Sequence, residues 1–197
     1  MTDRHITNQQ YKVGRHERAA QAGHRSIVVW LTGLSGAGKS TIANEAEQQI
    51  HSSGCRTFLL DGDCLRLGIN RDLGFTLAER RENIRRVAEI AKLFLHSGSV
   101  VFVSLISPLS ADRAEAKAII GADDFLEVYV QCPLEVCEQR DTKGLYAKAR
   151  RGEIQHFTGI GSPYEPPHSP DLILSTATEG LEKSADELVA FIKKRIA

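Results

Sequence analysis

The chain has 197 residues, enough for one domain with a sizeable core and too few for a second independent one. Lysine plus arginine and aspartate plus glutamate both number 25, so no global field favours nucleic acid or an anionic membrane, and any anion must be gripped locally. Four cysteines without a C-x-x-C pair, an N-terminus (MTDRHITNQQYKVGRHER) without an apolar signal core and no stretch near the ~20 apolar residues of a membrane span lead to the expectation of a reduced cytoplasmic protein.

Residues 1–25 are polar, basic in patches and without sustained periodicity, which predicts an N-terminal arm ahead of a single domain over 26–197. The run SIVVWLTG, continuous and apolar from Ile27 to Leu31, reads as a buried parallel strand feeding a glycine-rich turn. GKSTIANEAEQQIHSSG reads as a helix closed by Gly54, and CRTFLLDGD as a second strand carrying carboxylates at its C-terminal end. A second long helix has Ile84, Val87, Ala88, Ala91 and Leu95 at helical spacing and stops at Gly98. Further strands are expected in SVVFVSLI, FLEVYVQC and DLILST. A last helix presents Leu181, Ala185, Leu188, Ile192 and Ile196 on one face. Strands alternating with helices predict an α/β fold, a parallel sheet flanked by helices on both faces. Cys132 and Cys137, among Val130, Leu134 and Val136, read as buried structural thiols. From Arg140 to Pro170, five basic residues, glycines and four prolines predict a short helix and then a long irregular loop, the composition of a lid.

The nine residues GLSGAGKST carry the first chemistry. Gly33, Gly38, Lys39 and Ser40 satisfy G-x-x-x-x-G-K-[ST] between an apolar strand and a helix, the context that marks a nucleotide phosphate loop of the P-loop NTPase type. Leu34, Ser35, Gly36 and Ala37 complete the loop and Thr41 follows it. Backbone N–H groups of residues 36–41 are expected to hold the ATP phosphates, with Lys39 neutralising the transferring phosphoryl group and Ser40 ligating Mg²⁺. Asp61 and Asp63 follow at the edge of a parallel sheet where ligands bind, either on one strand face if Gly62 preserves the geometry or in a solvated turn. A carboxylate there serves as general base or orders the water around Mg²⁺. Arg66, and Arg80 with Asn83 one helical turn on, offer donors for oxyanions, although RRENIRR also suits a solvated surface.

Taken together, GLSGAGKST, DGDCLRLGINRDLGF, RRENIRRVAEIAKLF, SLISPLSADR, RDTKGLYAKARRGEIQHFTGI and SPYEPP resemble the adenylylsulfate kinase (APS kinase) family, with the likeness running from about His5 to the C-terminus. The resemblance implies transfer of the γ-phosphoryl of MgATP to the 3′-hydroxyl of adenosine 5′-phosphosulfate. It implies that Arg66, Arg80, Asn83, Ile106 and Ser107 contact that acceptor, that Phe75 and Phe157 sandwich its adenine from loops, and that Asp63 approaches the hydroxyl while Asp61 helps with Mg²⁺. Arg140 is then expected near the ATP adenine, with Lys143 and Lys148 reaching phosphates from a mobile lid over about 140–170. Ser107 matches a serine that some members carry phosphorylated, but direct in-line transfer needs no phosphoenzyme, so a substrate hydrogen bond from a turn is expected. A homodimer is also implied. Cys64, Leu67 and Leu105 depart from the family's common polar residue, His and Phe; none removes a charge assigned to catalysis.

Another small-molecule kinase of this fold, gluconate- or nucleoside-monophosphate-like, has no reason to carry DLGF, ISP and FTGI together. A GTPase lacks support because no [NT]-K-x-D occurs. A non-catalytic nucleotide-sensing partner, for example of a sulfurylase, is disfavoured by Lys39, Ser40, Asp61, Asp63 and Arg80 together, since a sensor could lose the carboxylates.

Overall fold

A computed structural model describes residue 9 and residues 11–197, so the rest of the expected arm lies outside the described residues. Five strands, β1 (Val28–Thr32), β2 (Thr57–Asp61), β3 (Val100–Ser104), β4 (Phe125–Gln131) and β5 (Leu172–Ser175), form a sheet in the order β2-β3-β1-β4-β5. Every neighbouring pair is parallel, with Val29 opposite both Phe102 and Leu126. The helices are α1 (Arg15–Ala22), α2 (Lys39–Ser52), α3 (Gly62–Leu67), α4 (Leu77–His96), α5 (Ser110–Ile120), α6 (Leu134–Arg140), α7 (Leu145–Arg150) and α8 (Leu181–Ile196).

The unbroken apolar run of β1 follows from burial on both faces. Val29 and Leu31 pack with Ile42, Ala46 and Ile50 of α2 and Leu188 and Ile192 of α8. Val28 and Trp30 pack on the other face with Val87, Ala91 and Leu95 of α4 and Ala116 of α5. The helices predicted by periodicity therefore present those residues to the sheet. Cys132 and Cys137 are buried as expected, and burial pushes the Cys137 thiol up to about 12, which keeps it protonated and inert near neutrality.

Three elements differ from the sequence expectation. The second strand stops at Asp61 rather than reaching Asp63, because the Asp61 carboxylate caps α3 by accepting from the backbone N–H groups of Asp63 and Cys64. α1 occupies part of the expected arm; it buries none of its residues and is held by Arg15, which donates to Asp124 and to the Ser26 carbonyl, a tether that no apolar period signals. α5 has a half-polar inner face, with Asp112 and Arg113 buried beside Ala116 and Ile120, so its hydrophobic stripe is faint. Among the described residues no helix is long and apolar enough to cross a membrane.

Candidate active site

The turn after β1 is the phosphate loop, at the C-terminal edge of the sheet where open parallel sheets bind ligands. Its carbonyls are taken from behind. Leu34 O accepts from Lys39 Nζ at 2.8 Å, Ser35 O from the Tyr146 hydroxyl at 2.9 Å, and Ala37 O from Thr176 Oγ1 at 2.8 Å. Arg140 donates to Gly36 O at 3.4 Å and to Thr176 O at 2.6 Å. Outward donation by the first-turn N–H groups of α2 is thereby left to an anion. Gly33 is required by space: at φ +152°, an added Cβ would lie 2.4 Å from the Val130 carbonyl oxygen. Lys39 is buried, and burial pulls its ammonium down to about 8. Ser40 and Thr41 remain exposed at the start of α2.

Ser40 meets the second strand directly. Its hydroxyl donates to Asp61 Oδ2 at 2.7 Å and lies 3.0 Å from Ser104 Oγ at the end of β3. Three hard oxygen groups thus converge beside the phosphate loop, a donor set that suits Mg²⁺ held chiefly by phosphates and water. The described residues contain no cluster of three or more His, Cys, Asp or Glu side chains able to enclose a metal by themselves. Asp63 stands apart from Asp61 in the first turn of α3, exposed, and pairs with Lys143 from the loop between α6 and α7. The two carboxylates therefore do not share a strand face, because the chain turns into α3 between them. Lys148 is exposed on α7.

The other flank is cationic. Arg66 donates to the carbonyls of Leu73 and Gly74 and places its guanidinium 4.4 Å from the centre of the Phe75 ring. Arg80 donates to Phe75 O at 2.8 Å, to Thr158 Oγ1 at 2.7 Å and to His156 O at 2.7 Å, joining α4 to the irregular segment after α7. All these partners are neutral oxygens, and among the described residues neither arginine forms an ion pair. Asn83 is buried and accepts from Asn70 Nδ2 at 3.0 Å. Phe75 is 62% exposed, whereas Phe157 is 8% exposed and packs edge-on to Tyr146 with ring centres 4.9 Å apart. Phe157 thus lies in a loop but packs into the core in this conformation. Ser107 is also buried, with its hydroxyl accepting from Trp30 Nε1 at 3.1 Å, and the Ile106 carbonyl accepts from Thr32 Oγ1 at 2.7 Å.

The family model for adenylylsulphate kinase matches residues 25–175. The chain belongs to the adenylylsulphate kinase family. An adenylyl-sulfate kinase of Geotalea uraniireducens is 51% identical over 89% of this chain and 84% of its own length. A probable adenylyl-sulfate kinase of Bacillus subtilis is 46% identical over the whole of both chains. Among solved structures, the Mycobacterium tuberculosis APS kinase CysC, in complex with AMPPNP and APS, is 48% identical and superposes with a TM-score of 0.83 over 86% of this chain and 98% of its own. The P-loop fold and the kinase class of the chain follow.

Several residues of this kinase that shape the site are not among those singled out from the sequence. Tyr146 and Thr176 hold the phosphate loop from elements far along the chain. Neither carries a local signal, since a Tyr in a short helix and a Thr after a strand are ordinary core and turn residues. Asn70 lies within GINRD, and only its complete burial next to Asn83 distinguishes it.

Proposed function

We infer that the chain transfers the γ-phosphoryl group of ATP to the 3′-hydroxyl of adenosine 5′-phosphosulfate, releasing ADP and 3′-phosphoadenosine 5′-phosphosulfate. The observation that carries this is the pair Arg66 and Arg80, two guanidinium groups bonded only to neutral oxygens and set against the exposed Phe75 ring. Half-buried cations that form no ion pair favour an anionic ligand, and an aromatic face beside them favours one that carries a base. The activity named for the relatives, and the two nucleotides held by the M. tuberculosis kinase, support the same acceptor.

In this mechanism a bond forms between the acceptor O3′ and the γ-phosphorus while the bond from that phosphorus to the bridging β–γ oxygen breaks. The reaction is mostly positioning and charge stabilisation. Residues 33–41 hold the ATP phosphates through backbone N–H groups, and Lys39 turns from Leu34 O toward the transferring group. Mg²⁺ bound with ATP supplies further neutralisation of the phosphate oxygens, and Ser40 with Asp61 would hold it. Asp63 takes the 3′-hydroxyl proton, and Lys143 moves from Asp63 toward the phosphates as the site fills. Lys148 closes from α7, Arg140 braces the loop on the adenine side, and Arg66, Arg80, Asn83, Ile106 and Ser107 receive the acceptor. Phe75 stacks on its base, and Phe157 forms the opposite wall only if the lid shifts from its packing on Tyr146. A single kinase domain over 26–197 with a lid at about 140–170, a homodimeric assembly and a cytoplasmic location complete the proposal.

The test is an ATP-dependent assay with adenosine 5′-phosphosulfate, AMP, gluconate or no acceptor, with product identified by mass and by 3′ position. Product at the 3′-hydroxyl from adenosine 5′-phosphosulfate alone is expected. Turnover only with another acceptor overturns the substrate, and nucleotide binding without turnover points to a sensor.

A further inference from the structure

The turn Ile106–Ser107 is held with unusual stringency. Ser107 has φ +38°, a region that a residue with a side chain occupies only where its surroundings over-determine it. Four groups do so. Trp30 Nε1 donates to the Ser107 hydroxyl, Thr32 Oγ1 donates to Ile106 O, and the Tyr164 hydroxyl lies 3.0 Å from the same Thr32 oxygen. The fourth is Arg113, on α5.

Arg113 is 3% exposed and divides its guanidinium fork among three elements. Nε donates to Glu127 Oε1 on β4 at 2.8 Å, Nη1 to the Ser107 carbonyl at 2.8 Å, and Nη2 to the Glu165 carbonyl, at the C-terminal root of the lid, at 2.8 Å. The lid root is then tied back: Glu165 N donates to Pro108 O, and the Glu165 carboxylate accepts from the backbone N–H and hydroxyl of Ser110. A contact that only packed α5 on β4 would need no buried charge, and an apolar pair would avoid the desolvation cost. A planar fork is what reaches three acceptors at once, which a lysine ammonium on a flexible stem cannot reproduce.

We propose that Arg113 is a positioning residue for the acceptor, clamping the strained Ser107 turn and the root of the lid into one rigid unit. The proposal rests on the assignment of Ile106 and Ser107 to the acceptor in the preceding section. It separates the two halves of the site. The phosphate loop is braced by Arg140, Tyr146 and Thr176, none of which hydrogen-bonds to Arg113, so loosening the clamp acts first on the acceptor side.

The test compares Arg113→Lys and Glu127→Gln with the wild-type enzyme. Trp30, the single tryptophan, reports on the turn through its bond to Ser107 whatever substrate is bound. In folded Arg113→Lys, the KM for adenosine 5′-phosphosulfate rises at least fivefold, the KM for MgATP stays within twofold, and Trp30 emission shifts. Glu127→Gln keeps an acceptor oxygen but removes its charge, and gives a smaller change in the same direction; if Arg113→Lys does not fold, this variant decides. An unchanged acceptor KM, or equal changes in both KM values, overturns the proposal and leaves Arg113 a packing residue. Absence of transfer by the wild-type enzyme, with Trp30 emission still shifted by Arg113→Lys, overturns the substrate assignment and supports the clamp.

Discussion

The Ser40 hydroxyl, on the first turn of α2, donates to Oδ2 of Asp61 at the end of β2, while Oδ1 of the same carboxylate accepts from the N–H of Asp63. One carboxylate thus ties the phosphate loop to the start of α3. It joins the proposed Mg²⁺ side of the site to the helix that carries the proposed base, Asp63.

That double role separates by substitution. Asp61→Asn keeps a capping oxygen, so the fold should lose little, whereas Asp61→Ala should cost a further ~1 kcal/mol from the lost cap. Both should raise the Mg²⁺ concentration needed for half-maximal rate by about 10- to 100-fold, since a group that orients a metal ligand is removed. Mg²⁺ titrations of the rate and urea unfolding check the two parts, and an unchanged Mg²⁺ requirement would remove Asp61 from the metal site.

Lys39 couples nucleotide binding to protons. Burial holds its ammonium at about 8 in the free site, and an incoming triphosphate favours the charged form and raises that value. At pH 8, binding of MgATP should therefore take up roughly half a proton per site. Calorimetry in buffers of different ionisation enthalpy measures the uptake, which Lys39→Met should abolish. The stability term has the matching sign. An unfolded lysine keeps its proton to about 10.5, so between about 8 and 10.5 the unfolded chain binds more protons, and Lys39 becomes less destabilising as pH rises. Removing the charge should also lower kcat by roughly 10²-fold or more.

Phe75 and Phe157 should behave oppositely. Phe75→Ala removes an exposed ring, and should weaken binding of adenosine 5′-phosphosulfate by ~1–3 kcal/mol, by analogy with base stacking in single-strand binders, at little cost in stability. Phe157→Ala removes a buried ring packed on Tyr146 and should lower stability by about 3–5 kcal/mol. Acceptor titrations in the presence of MgADP and denaturant unfolding distinguish them. Acceptor affinity within twofold of wild type in Phe75→Ala would rule out stacking.

Gly33→Ala tests the close approach of the phosphate loop to β4. A methyl group would stand 2.4 Å from the Val130 carbonyl at a strained φ, so the loop must move. The expected outcome is a loss of ~1–3 kcal/mol by urea unfolding, together with loss of measurable nucleotide binding. Wild-type affinity in this variant would show that the loop tolerates the shift.

Much of the fold is local in origin and so was legible from sequence. The apolar run at Ile27–Leu31, short and ending in a glycine-rich turn, reads as a strand covered on both faces, the spacing of Ile84, Val87, Ala91 and Leu95 lines one helix face, and G-x-x-x-x-G-K-[ST] between a strand and a helix marks phosphate binding. The prolines and glycines after Arg151 likewise mark an irregular segment. Tertiary structure decided what depends on partners distant in the chain. The strand expected to hold both carboxylates ends at Asp61 because that side chain caps α3, and Phe157 is buried because Tyr146 meets it edge-on. α5 escapes periodicity because its inner face carries Arg113, whose three acceptors, on Ser107, Glu127 and Glu165, lie in separate parts of the chain. Propensity and hydrophobic period are properties of a short window. A buried guanidinium is stable only where the fold assembles its acceptors, so its place and its role emerge only with the packed molecule.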